Sequence, residues 1–144
     1  GMSMLEVDKV LNEESGLLGI AGVSDNRALE ELINSGDEKA ILASEMYVNR
    51  IVDYIAKYYV RLGTIDALVL CGGVGENAVS FREKLLSKLK PLGIYIDEES
   101  NKVISKFADT NTGIITTKDS KFPCFVIPTD EELMIARETY TLIK

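Results

Sequence analysis

The sequence predicts an α/β fold in which long helices pack on a small mixed sheet. The apolar run at residues 66–71 is typical of a strand, and after a group of glycines a helical pattern covers residues 77–91. Apolar residues recur at steps of three and four along residues 37–62, which predicts the longest helix. Two later apolar runs, 113–117 and 122–127, predict strands joined by a polar turn. Because strands alternate with long helices, we expect the first and last strands to pair in parallel.

The shorter elements complete a single predicted domain that spans residues 1–144. An amphipathic helix is expected at 4–13, and another follows Ser24 or Asp25, either of which is a suitable N-cap. Glycines are too frequent at 17–23 for a regular strand, so this segment is predicted to be a packed loop. The last helix is expected to turn five residues inward, namely Leu133, Ile135, Ala136, Tyr140 and Ile143.

Helix 37–62 is apolar around most of its circumference. Its apolar stripe comprises Ile41, Val48, Ile51, Ile55, Tyr58 and Leu62, widened by Met46, Tyr47, Val52, Tyr54 and Tyr59. Such a helix is either central in a core or buried against a second body, so core packing and a subunit or domain interface are both open. The predicted sheet of about four strands is thin for this much helix. A further piece of sheet, or a partner, is therefore expected outside the chain.

Composition narrows the possible functions. The 144 residues carry a net charge of −7, so the phosphates of nucleic acid and anionic membrane surfaces would be repelled. The absence of histidine removes histidine-based acid–base catalysis and most zinc sites. Cys71 and Cys124 lie in apolar runs and are expected to be small buried hydrophobic residues. Because no stretch resembles a signal peptide or a membrane span, a cytoplasmic protein is expected.

The glycines after the first strand form the first candidate site. Residues 73–77 read Gly-Val-Gly-Glu-Asn, where a strand is expected to meet a helix N-terminus. Backbone N–H groups at such a place approach a ligand without interference from Cβ atoms, and nucleotides are the usual ligand. The segment lacks the Gly-Lys-Ser/Thr of a P-loop, and Ala78 stands where the dinucleotide fingerprint has its third glycine. A tight turn without a ligand therefore remains an alternative.

The sequence Thr129-Asp130-Glu131-Glu132 begins the last predicted helix and forms the second candidate site. Thr129 and Glu132 have the spacing of a capping box. Asp130 and Glu131 are then surplus carboxylates at the carboxyl end of a strand, where open α/β sheets bind ligands. Mg²⁺ requires one or two carboxylates and otherwise retains water and phosphate oxygens. Helix capping alone and a magnesium site are both open interpretations.

The sequence Ser24-Asp25-Asn26-Arg27 begins the second predicted helix and forms the third candidate site. Ser24 or Asp25 is suited to capping that helix. Arg27 is alternatively suited to contact a purine or a phosphate, because its guanidinium is planar and always charged.

Three ordered motifs resemble the acetate kinase family. Residues 15–19 and 22–27 resemble the segment of that family that leads into a nucleotide-contacting Asp-x-Arg. Residues 73–77 are similar to its adenosine-binding glycine turn, and Arg82 and Glu83 continue the match. Residues 127–137 resemble its C-terminal signature. These motifs span nearly all of the chain, so the resemblance is specific.

The resemblance implies a ribonuclease-H-like fold, in the superfamily of acetate and sugar kinases, Hsc70 and actin. The implied reaction is reversible phosphoryl transfer between ATP and acetate, which gives ADP and acetyl phosphate. Glu131 would bind Mg²⁺. The family forms homodimers largely through the C-terminal region that this chain matches, which would account for the broad apolar stripe on helix 37–62. The implied nucleotide contacts are Asp25, Asn26, Arg27, Gly73, Val74, Gly75, Glu76 and Asn77.

The chain also departs from the family. It matches only about the last third of the family protein, and Asp130 stands where the family usually has Asn. The N-terminal phosphate-contacting segment, the acetate pocket, and the arginines and histidine that stabilise the transferring phosphoryl group have no counterpart here. The resemblance therefore implies a C-terminal fragment that is inactive alone, because phosphoryl transfer depends on such groups. The alternatives are a propionate or butyrate kinase fragment and a non-catalytic regulatory or dimerisation module.

Overall fold

The computed structural model describes residues 1–104 and 110–143. The chain groups into two compact units, Gly1–Arg61 and Leu62–Lys144. The single domain that the sequence predicts stays a prediction, because compactness does not measure cooperative folding.

The first unit is helical. Its elements are α1 (Met4–Asn12), α2 (Gly16–Ala21), α3 (Asn26–Asn34) and α4 (Glu38–Leu62). Its core is formed by Leu29, Ala40 and Ala43, against which partly buried apolar residues of α2 and α3 pack. The helices predicted at 4–13, after Asp25 and at 37–62 are therefore present.

The packed loop predicted at 17–23 is wrong, because this segment contains α2. Gly16 has a φ of +64° where the helix begins, and Gly22 has a φ of +75° where it ends. Gly19 allows a close approach, since a Cβ there would lie 2.7 Å from the carbonyl oxygen of Glu14. The glycines thus delimit and pack a short helix, so their frequency does not indicate a loop.

The second unit is an α/β layer. Its elements in chain order are β1 (Leu68–Leu70), α5 (Gly72–Asn77), α6 (Val79–Lys88), a short 3₁₀ helix (Lys90–Leu92), α7 (Glu98–Val103), β2 (Gly113–Ile114), β3 (Cys124–Val126) and α8 (Glu131–Leu142). The strand order is β1-β3-β2. The strands β1 and β3 are parallel, with Leu68 opposite Cys124, whereas β2 and β3 are antiparallel. The predicted α/β class, mixed sheet and parallel pairing are confirmed.

The core of the second unit lies where α6 and the strands meet. Its fully buried residues include Leu85, Leu86, Leu89, Ile94, Ile115, Cys124 and Val126. The predicted burial of Cys124 is confirmed. Cys71, in contrast, is exposed because it lies beyond the last residue of β1, and both thiols are free.

The predicted inward face of the last helix is wrong. No described residue of α8 is buried, and Ile135 and Ile143 are 65% and 78% exposed. The periodicity identified the apolar residues correctly, but no described element covers them. Helix α4 shows the same pattern, since it buries Ala40, Ala43 and Val48 while Tyr54, Tyr58 and Leu62 remain exposed.

Candidate functional site

An open cleft of about 520 Å³ lies at the carboxyl ends of the parallel strands β1 and β3. One wall is the start of α5, which follows β1, and the other is the segment that joins β3 to α8. The lining residues are Gly72, Gly73, Glu76, Asn77, Asn111, Pro128, Thr129, Asp130, Glu131 and Glu132. Ligands bind at this edge in open α/β sheets, which makes the cleft the candidate site.

The glycines of α5 have different structural roles. Gly72 has a φ of +71°, a conformation that favours glycine, and it turns the chain from β1 into the helix. Gly73 faces open space, since a Cβ there would meet no atom within 4 Å. At Gly75 a Cβ would lie 3.2 Å from the carbonyl carbon of Leu70, so α5 packs closely on the end of β1. The predicted glycine turn is therefore a short helix with two open glycines, Gly72 and Gly73, in the lining of the cleft.

Glu76 is buried, and its carboxylate joins the two walls of the cleft. Its Oε1 atom accepts hydrogen bonds from the backbone N–H of Gly72 at 2.8 Å and from the backbone N–H of Thr129 at 2.9 Å. The hydroxyl of Thr129 donates a third hydrogen bond to the same oxygen, also at 2.9 Å. The resemblance had implied a nucleotide contact for Glu76, whereas the structure shows it holding protein groups.

Arg82 is completely buried and supports the backbone of α5. It donates to the carbonyl oxygens of Gly75 and Glu76 at 3.1 and 2.7 Å. The remaining N–H groups donate to Asn101 Oδ1 and to the carbonyl oxygens of Asn101 and Ile104. Burial lowers the pKa of this guanidinium, while Cys124 and Glu83 act in the opposite direction. All five guanidinium donors are thus used within the fold.

The start of α8 differs from the predicted capping box. Asp130 is the N-cap, and its Oδ1 atom accepts from the backbone N–H of Leu133 at 2.9 Å. Thr129 does not cap the helix, because its backbone N–H and its hydroxyl both donate to the Glu76 carboxylate instead. Asp130 is therefore a capping residue, whereas Glu131 is an exposed carboxylate in the cleft.

The cleft is strongly acidic. Its described lining contains the carboxylates of Glu76, Asp130, Glu131 and Glu132 and no lysine or arginine. Among the described residues there is no group of three or more His, Cys, Asp or Glu side chains arranged to hold a metal ion. Within the described chain there is likewise no helix that is both long and apolar enough to cross a membrane.

The structure brings together four of the predicted site residues. Gly73, Glu76, Asn77 and Glu131 line one cleft, and Val74 and Gly75 belong to the same helix α5. The third candidate segment lies in the first unit, where it forms the start of α3. Asp25 caps this helix by accepting from the backbone N–H groups of Arg27 and Ala28 at 2.9 and 3.1 Å.

Sequence reasoning missed the support that Arg82 gives to α5. One signal was available, because Arg82 precedes Leu85 and Leu86 by three and four residues and so shares their face of a helix. A charged residue on an apolar helix face is costly unless its hydrogen bonds are satisfied. The carbonyl partners themselves had no sequence signal.

The chain is similar to known proteins over nearly its whole length. The profile of the acetokinase family matches residues 1–137. The chain is 46% identical over 143 residues to the acetate kinase of Carboxydothermus hydrogenoformans, covering 99% of this chain and 35% of that protein. It is 49% identical over 133 residues to the acetate kinase of Aster yellows witches'-broom phytoplasma, covering 92% of this chain and 31% of that protein.

Solved structures of an acetate kinase and a propionate kinase also resemble this chain. The crystal structure of Porphyromonas gingivalis acetate kinase matches with a TM-score of 0.83 and 39% identity, covering 100% of this chain and 35% of that one. A propionate kinase from Francisella tularensis matches with a TM-score of 0.85 and 40% identity, covering 96% of this chain and 34% of that one. The chain spans about 35% of the length of the first curated relatives it matches. Because the family profile covers more than half of its residues, the chain belongs to the acetokinase family.

Proposed function

We propose that this chain supplies nucleotide and magnesium contacts for phosphoryl transfer between ATP and acetate, which gives ADP and acetyl phosphate. The observation that carries the proposal is the cleft itself. It places the glycine helix α5 and Glu131 in one opening of a chain that belongs to the acetokinase family. Of the alternatives, a propionate or butyrate substrate is tested by comparing acetate, propionate and butyrate as phosphoryl acceptors of a complete enzyme that contains this chain.

In this proposal, residues 73–77 contact the adenosine end of the nucleotide. Gly73 supports this role because its open face lets a ligand approach the helix backbone closely. The nucleotide contact that the resemblance implies for Asp25, Asn26 and Arg27 is proposed separately, for the first unit by itself. The guanidinium of Arg27 forms no hydrogen bond or ion pair with any described residue, so it is available to a phosphate or a purine.

The donor chemistry of the cleft fits Mg²⁺. Glu131 offers an exposed carboxylate, and Mg²⁺ is commonly held by one or two carboxylates together with substrate phosphates. Four carboxylates in the lining would repel a nucleotide phosphate unless a cation lay between them. Bound Mg²⁺ would neutralise phosphate charge, and Glu131 would hold it in the cleft.

We also propose that the isolated chain is inactive. Phosphoryl transfer is catalysed mainly by positioning and by cations that stabilise the transferring group. The described lining of the cleft has no basic residue, and the sequence has no histidine. An assay of acetyl phosphate formation by the chain alone should give no turnover above background, and robust turnover would contradict this part of the proposal.

Two further properties follow from the resemblance. A homodimer is proposed, supported by the exposed apolar residues of α4, including Met46, Tyr54 and Tyr58. Analytical ultracentrifugation tests this homodimer, and a monomer at all accessible concentrations would contradict it.

A cytoplasmic location is proposed on the acidic composition, and fractionation of the source cells tests this location.

The central test is calorimetric titration of ADP with and without Mg²⁺. We expect Mg²⁺ to increase ADP affinity, and Glu131→Gln to remove about tenfold of that increase, the scale of one lost charge-assisted contact. Glu132→Gln is the matched control, since it removes an equal charge from the next position in the same cleft. Absence of ADP binding at millimolar concentrations would favour a non-catalytic module. Equal effects of the two substitutions would remove the specific role of Glu131.

A further inference from the structure

We propose that Glu76 is a positioning residue that fixes the start of α8 against α5, and thereby places Glu131 relative to Gly73. This inference rests on the proposed function, because it concerns how the two walls of the nucleotide cleft are held in register. In this role Glu76 acts through Thr129, and it is the carboxylate of Glu76 that is not assigned to the nucleotide or the metal.

The first argument is the convergence of hydrogen bonds on one oxygen. Glu76 Oε1 accepts from Gly72 at 2.8 Å within its own helix. It also accepts twice from Thr129, which lies 53 residues further along the chain. Three donors converge on this one oxygen, and two of them belong to Thr129, so it links two distant segments of the chain.

The second argument is that Glu76 is itself held firmly. Its side chain is 3% exposed, and its carbonyl oxygen accepts from Arg82 at 2.7 Å. Arg82 is in turn fixed by Asn101 and Ile104. The backbone of Glu76 is therefore anchored in the core of the unit, while its carboxylate reaches the cleft wall. The hydrogen bonds from Thr129 to the Glu76 carboxylate therefore hold Thr129 in place relative to the core.

The third argument is how little else holds α8. No described residue of this helix is buried, so its side chains do not anchor it in the core. Next to its start, Ile127 donates to the carbonyl oxygen of Leu70 at 3.0 Å and Thr129 donates twice to Glu76. Glu131 follows Thr129 by two residues. The bonds between Glu76 and Thr129 therefore limit how far Glu131 can move from α5.

The experiment measures the ratio of ADP affinity with Mg²⁺ to ADP affinity without it. A variant that is merely less stable lowers both affinities by the same factor and leaves the ratio unchanged. A variant that lets Glu131 drift lowers the affinity with Mg²⁺ more, so the ratio falls. Thermal melting of each variant, recorded alongside, gives the folded fraction.

Thr129→Val and Thr129→Ser are the decisive pair. Valine has nearly the shape of threonine but lacks the hydroxyl, whereas serine retains the donor to Glu76. Thr129 is exposed, so neither change creates a cavity in the core. We expect Thr129→Val to lower the ratio about threefold to tenfold, as the loss of one ordinary hydrogen bond of about 1 kcal/mol predicts, and Thr129→Ser to restore it.

Substitutions at Glu76 give a second comparison. Glu76→Gln retains one acceptor oxygen and should preserve most of the ratio, whereas Glu76→Ala removes the link and should bring the ratio close to that of Glu131→Gln. If Glu76→Ala does not fold, the Thr129 pair still decides. A wild-type ratio of one would mean that the proposed function has failed. A raised wild-type ratio that Thr129→Val leaves unchanged would overturn this inference while the proposed function stands.

Discussion

Arg82 illustrates at the residue scale how a charge is accommodated in this core. The guanidinium places its donors on four carbonyl oxygens and one side-chain amide oxygen, so its burial leaves no polar atom unsatisfied. The same bonds join α5, α6 and α7. Arg82 therefore connects the glycine helix of the cleft to the rest of the unit.

Replacement of Arg82 should be strongly destabilising. Arg82→Met fills a similar volume but leaves several buried acceptors without a donor, and each unsatisfied polar group costs about 1–3 kcal/mol. We expect a loss of about 3 kcal/mol or more in the free energy of unfolding, measured by urea denaturation. Arg137→Met is the matched control on the exposed face of α8, where about 0.5 kcal/mol or less is expected. Similar effects at both positions would contradict this account.

Gly73 and Gly75 should respond oppositely to alanine. A Cβ at Gly73 enters open space and improves helix propensity, so Gly73→Ala should stabilise the chain by up to about 1 kcal/mol while weakening ADP binding. A Cβ at Gly75 presses on Leu70, so Gly75→Ala should destabilise it. Thermal melting and ADP titration measure both effects. If Gly73→Ala left ADP affinity unchanged, the glycine face would not be part of the site.

Cys124 should give stability a pH dependence in mildly alkaline solution. Burial raises the pKa of its thiol from 9.0 to about 12, while Arg82 lowers it less strongly. Between these values the unfolded thiol ionises and the folded one does not, so stability should fall by up to about 1.4 kcal/mol per pH unit. Urea denaturation between pH 8 and pH 10, compared with Cys124→Ala, isolates this effect. A difference between the two proteins that stays constant with pH would contradict it.

The residues that line the cleft were predictable to different degrees. The glycines and Glu131 were identifiable because their positions follow a strand and begin a helix, and both features are local in sequence. The link from Glu76 to Thr129 was not, because it joins residues 53 positions apart and depends on how the two strands lie in the sheet. The sequence states the type of each side chain, whereas the fold determines which groups that side chain contacts.

At the scale of the elements, helix ends and strand pairing were the most predictable features. Asp25 caps α3, and a short-range pattern controls such a helix start. The parallel pairing of β1 with β3 was predictable for another reason, because strands that alternate with long helices pair in parallel. Burial of α8 was predicted wrongly, since periodicity shows that apolar residues recur but not that another element covers them. The same limit applies to α4, where the choice between core and interface depends on neighbours that its own sequence does not specify.

Asp25 allows capping and nucleotide contact to be separated. Asp25→Ala removes the acceptor for two backbone N–H groups and should cost about 1 kcal/mol, whereas Asp25→Asn retains the cap. If Asp25 also contacts the nucleotide, Asp25→Asn should alter ADP affinity at unchanged stability. Asp37→Asn is the control, because Asp37 makes a similar bond to the backbone of Ala40. Unchanged ADP affinity in Asp25→Asn would leave Asp25 with the capping role alone.

At the scale of the whole molecule, the chain combines a well-packed α/β unit with a helical unit whose longest helix is largely exposed. The α/β class and the family were accessible from sequence, since apolar runs and ordered motifs carry both. An excess of apolar helix surface was accessible as well, since the sequence predicts a partner or a further piece of sheet outside the chain. What covers that surface was not, because it depends on what surrounds a chain that spans about 35% of its relatives' length.

The two thiols also make the molecule convenient to label. Cys71 is exposed and immediately precedes the glycine helix, whereas Cys124 is buried and protonated at neutral pH. A maleimide fluorophore would therefore attach selectively next to Gly72, a residue of the cleft lining, without any engineered cysteine. Emission from that dye would report occupancy of the opening in real time.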